Sequence, residues 1–356
     1  MKLDRIAVLG AGGFVGSHLV PALLARFDCA IDAVDVSFDK LQLEHPRLHR
    51  IQARVETPGL LPELLARSQL LVSLSALCNP ALYNTEPLAV IDASYTHLVP
   101  VVQQCANAGV RLLHFSTSEV YGRMALDANG QPTRSMHEAD TGMFLGSVER
   151  ERWTYACAKQ LLERVIWAHG QHGSLSFTIV RLFNVIGPRM DYLPGVDGDG
   201  VPRVLAMFMN ALLRSQELQL VEGGQQRRAF MAVTDLVEAV CRIIERPRAC
   251  HNQILNLGNP DNDISIAALA RLLADVYATR VPAAPPARMR HVSAADLYGE
   301  GYDDSQARIP DIDKARRLLE WQPRVTLSQM LPEIVDSYVA RYAGRLAHAP
   351  KAGDSA

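Results

Sequence analysis

The sequence lacks a strong excess of charge of either sign. Its 356 residues contain 36 lysines and arginines against 38 aspartates and glutamates, which gives a formal net charge of −2. A surface that attracts nucleic-acid phosphates or anionic lipid headgroups requires an excess or a cluster of basic residues. We therefore expect neither nucleic acid nor a membrane among the partners of this chain.

The sequence also lacks long hydrophobic runs and paired cysteines. Apolar stretches such as LLVSLSALC, residues 70–78, are far shorter than the ~20 residues that cross a bilayer. The six cysteines are scattered and form no C-x-x-C pair, so neither a metal site nor a disulfide framework is indicated. A strand pattern begins at Arg5 and leaves no space for a signal peptide. We expect a soluble cytoplasmic protein.

The first half of the sequence alternates short apolar segments with amphipathic ones. Segments rich in β-branched residues predict strands at RIAVLG (5–10), AIDAVDV (30–36), QLLVSL (69–74), RLLHFS (111–116) and FTIVRLF (177–183). Helical periodicity covers 15–26, 60–67, 88–108 and 153–169. Apolar strands separated by helices predict an α/β fold, a Rossmann-type doubly wound parallel sheet covered on both faces.

The pattern loosens after about residue 185, where GPRMDYLPGVDGDGVP (187–202) is rich in glycine, proline and aspartate. Helices are predicted farther on, at 265–278 and 313–320. We predict a Rossmann domain over 1–184 and a smaller C-terminal substrate-binding lobe over 185–344, with some chain returning to the Rossmann domain. A disordered tail is predicted over 345–356.

The glycines of VLGAGGFVGSHLVPALL indicate a dinucleotide site, because they follow a predicted strand and open a predicted helix. Glycine lets the backbone approach a pyrophosphate at the helix N-terminus. Asp35 ends the second strand and can hydrogen-bond the adenosine ribose, whereas it would repel a 2′-phosphate, so NAD is favoured over NADP. A solvated strand end is the alternative for Asp35. The predicted cofactor-binding residues of this region are Gly10, Gly13, Phe14, Val15, Gly16 and Asp35.

Tyr155 and Lys159 lie four residues apart in RWTYACAKQLLERVIWA, on one face of a predicted helix. With ten tyrosines and only five lysines in the chain, such a pair is uncommon by chance. An ammonium beside the phenol favours the phenolate, which would let Tyr155 take a hydroxyl proton during hydride transfer. Thr117, at the end of the strand in HFSTSEVYG, would hydrogen-bond the same hydroxyl. We predict that all three residues are catalytic and that Tyr155 and Lys159 also contact the cofactor.

These motifs in this order resemble the extended short-chain dehydrogenase/reductase family, whose members act mostly on nucleotide sugars. Ser118-Glu119 resembles the UDP-glucuronate decarboxylases, because 4,6-dehydratases usually have Asp-Glu there and 4-epimerases usually lack the glutamate. The segments RWTYACAKQL, FTIVRLFNVIGPRMD, GVPRVL and GEGYDDSQARIPD are similar to the plant UDP-apiose/UDP-xylose synthases. They are also similar to the decarboxylase domain of the bacterial enzyme that makes 4-amino-arabinose. The resemblance covers roughly residues 5–340.

The resemblance implies NAD-dependent oxidation of UDP-glucuronate at C4, followed by decarboxylation. It assigns Glu119 as the acid/base near the reacting centre and Arg308 as its partner, although Arg308 alone would be interpreted as an ordinary loop arginine. It also implies a homodimer joined through a four-helix interface, formed by the helices at 88–108 and 153–169. The residues that it implicates in binding the UDP-sugar are Tyr83, Ser118, Arg152, Asn184, Arg228 and Tyr302.

Two departures from the related sequences bear on the site. Arg54 stands where the relatives usually have an acid that contacts the adenine. The apiose-forming plant enzymes carry two cysteines near the sugar, whereas this chain has Cys78 at the first position and Ser118 at the second. We count both among the candidate catalytic residues, with a small core residue as the alternative for Cys78. The product, whether UDP-4-keto-pentose, UDP-xylose or UDP-apiose, stays open.

Two other functions remain alternatives at this point. One is a 4-epimerase or 4,6-dehydratase that acts on another nucleotide sugar, which release of CO2 would separate from a decarboxylase. The other is an NAD-sensing regulatory protein with the same fold. Such regulators usually lose the Tyr/Lys pair, so the presence of Tyr155 and Lys159 argues for an enzyme.

Overall fold

The structure is a computed structural model that describes residues 3–123, 135–139, 145–198, 200–298 and 305–347. Its strands are β1 (Arg5–Leu9), β2 (Ala30–Asp35), β3 (Leu48–Gln52), β4 (Leu70–Ser73), β5 (Arg111–Thr117), β6 (Phe177–Leu182), β7 (Val185–Ile186), β8 (Leu218–Val221), β9 (Arg227–Ala229), β10 (Met231–Ala232), β11 (Gln253–Leu257), β12 (Asp263–Ser265), β13 (Met289–Val292) and β14 (Ala307–Arg308).

The α-helices of the described residues are α1 (Phe14–Arg26), α2 (Leu60–Arg67), α3 (Pro80–Thr85), α4 (Pro87–Ile91), α5 (Val99–Ala108), α6 (Thr154–His172), α7 (Val204–Leu213), α8 (Val233–Glu245), α9 (Ile266–Arg280), α10 (Ala294–Tyr298), α11 (Asp313–Leu319) and α12 (Leu327–Ala347). Shorter turns include the 3-10 turns Ser118–Tyr121 and Glu151–Trp153 and the π-helical turn Asp92–Thr96. Within these ranges, no helix is long and apolar enough to cross a bilayer.

Seven strands form one parallel sheet in the order β3-β2-β1-β4-β5-β6-β11. The strand order reverses between β1 and β4, as it does in doubly wound dinucleotide-binding folds. All carboxyl ends meet at one edge of the sheet, and ligands of such folds bind in the crevice beside the reversal. The predicted α/β fold with a Rossmann-type parallel sheet is confirmed.

Helices cover both faces of the sheet because its central strands are apolar on both sides. Residues 6–9 of β1, for example, are all buried. One face packs against α1 and α8 through side chains such as Leu23 and Leu236. The other face packs against α2, α5 and α6 through side chains such as Leu64 and Leu162. Truncating one of these leucines to alanine would cost about 2–5 kcal/mol of stability.

The chain after residue 184 contributes to two hydrophobic cores. Helices α8 and α11 and strand β11 return to the sheet and complete its core. Helices α7, α9 and α12 instead enclose a second apolar cluster with β8, centred on side chains such as Phe208, Leu273 and Leu331. This second cluster forms the C-terminal lobe, and it faces the carboxyl edge of the sheet across a cleft.

The helices differ from the predicted ones in several places, and the longer helices α7 and α8 were not predicted at all. The single helix predicted over 88–108 is α4, a π-helical turn and α5, with Pro87 and Pro100 in the first turns of the two helices. Proline lacks an N–H and is favoured where a helix begins. Helix α12 was not predicted, and it extends to Ala347, beyond the predicted start of the tail at 345. Residues 348–356 lie outside the described residues.

Candidate active site

The glycine-rich turn joins β1 to α1 and passes close to neighbouring backbone. Gly10 has a φ of 79°, in the left-handed region that favours glycine. A Cβ on Gly12 would lie 1.8 Å from the Ser37 carbonyl oxygen, and one on Gly16 would lie 2.3 Å from the Ala11 carbonyl oxygen. The motif spacing therefore identified Gly10 and Gly16 but missed Gly12, the position that tolerates a side chain least.

The end of β2 and the start of α1 complete the nucleotide end of the site. Helix α1 begins at Phe14, directly after Gly13. A Cβ added to Gly13 would lie 3.4 Å from its nearest non-adjacent atom, the Gly10 carbonyl oxygen. The Asp35 carboxylate accepts hydrogen bonds from the backbone N–H groups of Gly12, at 2.9 Å, and Val36, at 2.7 Å. An open helix N-terminus beside a strand-end carboxylate fits the pyrophosphate and ribose of NAD.

A cleft runs from this turn along the carboxyl edge of the sheet and is closed on its other side by the C-terminal lobe. The predicted site residues that line it are Phe14, Val15, Cys78, Tyr83, Thr117, Ser118, Glu119, Arg152, Tyr155, Lys159, Asn184, Arg228 and Arg308. Residues as far apart in the chain as Phe14 and Arg308, which are separated by 294 positions, thus line a single cleft. Tyr302 lies outside the described residues.

Tyr155 is buried in the first turn of α6 and packs flat against Tyr83, with 5.0 Å between ring centroids and an interplanar angle of 12°. Its hydroxyl lies 3.3 Å from the Cys78 sulfur, within hydrogen-bonding distance. Burial raises the pKa of Tyr155 well above its ordinary value of 10, and the neighbouring Cys78, Tyr83 and Glu119 raise it further.

Lys159 lies one turn farther along α6 and is fully buried, but its hydrogen bonds do not go to Tyr155. The Lys159 ammonium donates to the Phe115 carbonyl oxygen at 2.7 Å and to Nε2 of His114 at 3.3 Å. Burial lowers the pKa of Lys159 to about 8. The phenolate expected from the Tyr155/Lys159 spacing is therefore not favoured in this structure, because burial outweighs the distant positive charge.

His114 was not among the predicted site residues. It is buried on β5, and burial together with the Lys159 charge lowers its pKa well below 6.5. The imidazole is therefore neutral and can accept the Lys159 hydrogen bond. A polar residue in the otherwise apolar strand RLLHFST was the sequence signal that could have identified it.

Glu119 is buried at the start of the 3-10 turn that follows β5, between two arginines. Arg152 donates to its two carboxylate oxygens at 2.6 and 3.2 Å, and Arg308 donates to Oε1 at 3.2 Å. The Arg152 guanidinium also lies over the Tyr83 ring, 5.3 Å from its centroid. Two guanidiniums and one carboxylate thus meet at this wall of the cleft.

Thr117 and Ser118 hold the end of β5 next to this cluster. The backbone N–H of Glu119 donates to Oγ1 of Thr117 at 3.2 Å, which caps the 3-10 turn. A hydroxyl that accepts one hydrogen bond can still donate its own proton, so Thr117 can donate to a ligand in the cleft. Ser118 is buried and also lines the cleft.

Arg228 and Arg308 lie directly opposite each other on the neighbouring parallel strands β9 and β14. Both side chains are buried and line the cleft. Asn184 lines the same region with a positive φ of 40°, and its side-chain amide donates to the Ala229 carbonyl oxygen at 3.3 Å. Two positive charges on adjacent strands make this side of the cleft suited to an anionic ligand.

Arg203 also lines the cleft and was missed, although it lies in the quoted motif GVPRVL. Its guanidinium donates to Asp191 at 3.2 Å and to the Met190 carbonyl oxygen at 3.1 Å. Arg54, in contrast, is exposed on the loop after β3, 3.8 Å from Glu56. Among the described residues, no group of three or more histidine, cysteine or acidic side chains could hold a metal ion.

Comparisons with known proteins agree with this fold. Residues 6–258 match the model of the NAD dependent epimerase/dehydratase family. A UDP-D-apiose/UDP-D-xylose synthase from Oryza sativa subsp. japonica is 43% identical over 346 residues, which cover 92% of this chain and 87% of that protein. UDP-D-apiose/UDP-D-xylose synthase 1 from Arabidopsis thaliana is 41% identical over 359 residues, which cover 95% of this chain and 92% of that protein.

Solved structures extend the likeness to the whole fold. The crystal structure of the PbgP3 protein from Burkholderia pseudomallei is 30% identical, with a TM-score of 0.82 and coverage of 97% of this chain and 98% of that one. The UDP-glucuronic acid 4-epimerase from Bacillus cereus shares the fold at 20% identity, with a TM-score of 0.78 and coverage of 95% and 100%. The chain therefore belongs to the NAD-dependent epimerase/dehydratase family, which confirms the predicted membership of the extended short-chain dehydrogenases/reductases and NAD as the cofactor.

Proposed function

We propose that this enzyme catalyses the NAD-dependent oxidative decarboxylation of UDP-glucuronate, with UDP-4-keto-pentose or UDP-xylose as the main product. The relatives named UDP-D-apiose/UDP-D-xylose synthase support a UDP-sugar pathway of this kind. The observation that carries the proposal is Glu119 between Arg152 and Arg308. A guanidinium at this wall can bind the carboxylate of such a sugar in paired hydrogen bonds, which a neutral hexose cannot form.

Oxidation at C4 is the first step. Tyr155 takes the proton of the C4 hydroxyl, while the Thr117 hydroxyl holds that oxygen in place. NAD held at the glycine-rich turn would supply the acceptor for the C4 hydride, and the positive charge of its oxidised form would favour the Tyr155 phenolate. An ammonium has three N–H donors, and the two bonds of Lys159 to Phe115 and His114 leave one donor for the cofactor.

Loss of CO2 is the second step. The new C4 ketone is β to the C6 carboxylate, so the C5–C6 bond breaks and its electron pair forms an enolate over C5, C4 and the C4 oxygen. Arg308 stabilises the negative charge at this stage, and Glu119 acts as the acid/base that takes up a proton from solvent water and passes it to C5. Their contact at 3.2 Å keeps both groups at the same wall of the cleft.

Recognition of the uridine diphosphate is assigned to the part of the cleft next to Arg308. Arg228 and Asn184 lie there beside the C-terminal lobe, and a guanidinium suits the paired oxygens of a diphosphate. Arg152 was also suggested for the diphosphate, and in this structure it binds Glu119. Tyr83 stacks on Tyr155 and forms the floor beside the sugar.

A homodimer is the proposed assembly. Helix α6 packs against α4 and the π-helical turn, and these elements expose large apolar side chains: Leu88 is 75% exposed, Leu161 46% and Trp167 44%. Two copies of this face would bury these side chains in one four-helix arrangement. Apolar side chains of this size are favoured at the core of homodimer interfaces.

One incubation tests the proposed reaction. The purified protein with NAD is expected to release CO2 from UDP-glucuronate, while UDP-glucose yields none. Tyr155→Phe is expected to abolish both NADH formation and CO2 release, because the C4 hydroxyl proton has no acceptor. A uronate product that keeps its carboxylate would identify a 4-epimerase instead, and absence of turnover would support a regulatory protein.

A further inference from the structure

Asn256 lies near the carboxyl end of β11 and is completely buried, with an exposed fraction of 0%. All of its hydrogen-bonding groups in the side chain are used. Its Oδ1 accepts from the Tyr121 hydroxyl at 2.7 Å, and its Nδ2 donates to the carbonyl oxygens of Met136, at 2.9 Å, and Asp311, at 3.1 Å. A buried amide with every group satisfied fixes the segments that it joins.

The first of these segments carries Glu119. Tyr121 ends the 3-10 turn Ser118–Tyr121, two residues after Glu119, and its ring is buried. The guanidinium of Arg181 lies over that ring at 4.7 Å, and Arg181 is itself held by the buried Glu163 at 2.6 Å. The 3-10 turn that carries Glu119 is therefore held through Tyr121. Arg181 contacts the Tyr121 ring, and Asn256 accepts the hydrogen bond of its hydroxyl.

The second segment carries Arg308. Asp311 follows it by three residues, and the backbone between them is tied to Met136 by two hydrogen bonds: Met136 N–H donates to the Ile309 carbonyl oxygen at 2.8 Å, and Asp311 N–H donates to the Met136 carbonyl oxygen at 2.9 Å. Asn256 bonds both Met136 and Asp311. One side-chain amide thus connects the Tyr121 side chain, two residues after Glu119, to the backbone that follows Arg308.

We infer that Asn256 is a positioning residue for the decarboxylation step, acting with Tyr121 to set the separation of Glu119 and Arg308. The inference rests on the proposed function. Asn256 does not touch the cleft, so its effect passes through the two segments that it joins. The groups assigned to C4 oxidation, Tyr155 and Lys159, lie on α6 and receive no hydrogen bond from it.

The test compares two rates in single turnovers with excess enzyme: NADH formation from its absorbance, and CO2 release from UDP-glucuronate labelled at C6. Asn256→Asp keeps an oxygen for Tyr121 and removes the Nδ2 donor. We expect NADH formation to stay close to the wild-type rate and CO2 release to fall by about 10-fold or more, because a small displacement of a catalytic group is costly. Tyr121→Phe should lower the ratio of the CO2 release rate to the NADH formation rate by a smaller factor than Asn256→Asp.

Asn252→Asp is the matched control. Asn252 lies just before β11, at the opposite edge of the sheet, where its side chain binds the Phe177 N–H at 3.2 Å. Asn252→Asp should leave the ratio of the CO2 release rate to the NADH formation rate unchanged. A purely structural role for Asn256 would lower both rates in proportion, and that result in Asn256→Asp and Tyr121→Phe would overturn the inference.

Two outcomes separate the inference from the function on which it rests. Wild-type protein that forms no CO2 would refute the proposed function itself. Wild-type protein that forms CO2, with a normal ratio in both variants, would refute only the role of Asn256. Should Asn256→Asp not be recovered folded, Tyr121→Phe decides the question, since it removes a single hydroxyl.

Discussion

Arg308 donates a hydrogen bond to Glu119 across 189 positions of the sequence, from Nη1 to Oε1 at 3.2 Å. Both side chains are buried, and Arg152 binds the same carboxylate from the other side. A buried carboxylate is stable only with such partners, because an uncompensated charge is costly to bury. Both guanidiniums also line the cleft, where they can contact the carboxylate of the proposed substrate.

Removing Arg308 should therefore affect catalysis strongly. Arg308→Ala and Glu119→Ala are each expected to lower CO2 release by at least about 10²-fold, the usual size of a positioned electrostatic or acid/base contribution. Arg227→Ala is the matched control, because this arginine lies on the same small sheet and binds Asp263 at 2.8 Å instead of lining the cleft. Near-normal turnover in Arg308→Ala, measured with saturating NAD, would contradict its assignment.

Asp35 should determine which dinucleotide is used. Its carboxylate already accepts the Gly12 N–H at the ribose end of the turn, so a 2′-phosphate would meet a negative charge there. We expect a higher kcat/KM with NAD than with NADP, and we expect Asp35→Ser to narrow that preference by about tenfold or more. Asp39→Ser, an exposed site four residues later, should leave the preference intact. Equal use of both cofactors by the wild type would refute this prediction.

The buried ammonium of Lys159 should make stability depend on pH. Burial lowers its pKa from 10.5 to about 8 in the folded chain, so between these values the unfolded chain binds more protons and stability rises with pH. Relative to Lys159→Met, the wild type should gain about 3 kcal/mol of unfolding free energy as the pH rises from below 8 to above 10.5. Urea denaturation of both proteins across pH 7–10 measures most of this change. If the unfolding free energy of the two proteins depended on pH in the same way, the lysine would not titrate in this range.

Ser118 should limit ring contraction. Forming apiose requires a retro-aldol cleavage of C2–C3 and reclosure, hence a proton donor and acceptor on the far side of the sugar. A thiol titrates near 8.5 and a serine hydroxyl far above that, so Ser118 is a poor proton partner for Cys78. UDP-4-keto-pentose or UDP-xylose should outweigh UDP-apiose in the NMR spectrum of the products.

The matching variant adds the thiol. Ser118→Cys should raise the share of UDP-apiose, and Cys78→Ser in that background should remove the gain. UDP-apiose as the main product of the wild type would show that Ser118 is competent for ring contraction. That result would leave the decarboxylation assignment unaffected, since it uses Glu119 and Arg308.

The exposed apolar face of α4 and α6 should form the interface of a homodimer. Light scattering at micromolar concentration is expected to give twice the mass of the chain. Leu161→Arg should shift the protein toward monomer, because a guanidinium would be buried without a partner. Ala278→Arg places the same residue on an exposed part of α9 and should not. A monomeric wild type would refute the interface.

Local sequence determined much of this protein. Strand and helix periodicity identified the parallel sheet, because side chains repeat every two residues in a strand and every 3.6 in a helix. Motif spacing identified Gly10 and Gly16, whereas Gly12 was missed because the contact that excludes a side chain there comes from Ser37, on another segment of the chain. The spacing of Tyr155 and Lys159 likewise follows from one turn of α6.

Only the tertiary structure decided which groups these residues meet. Lys159 binds Phe115 and His114 on the neighbouring strand instead of Tyr155, so burial raises the pKa of the phenol where helix spacing alone predicted a lowered one. The contact of Arg308 with Glu119 depends on a two-residue strand that pairs with β9 far along the chain. Such contacts are set by which segments pack together, and pairings over long separations leave no periodic signal in the sequence.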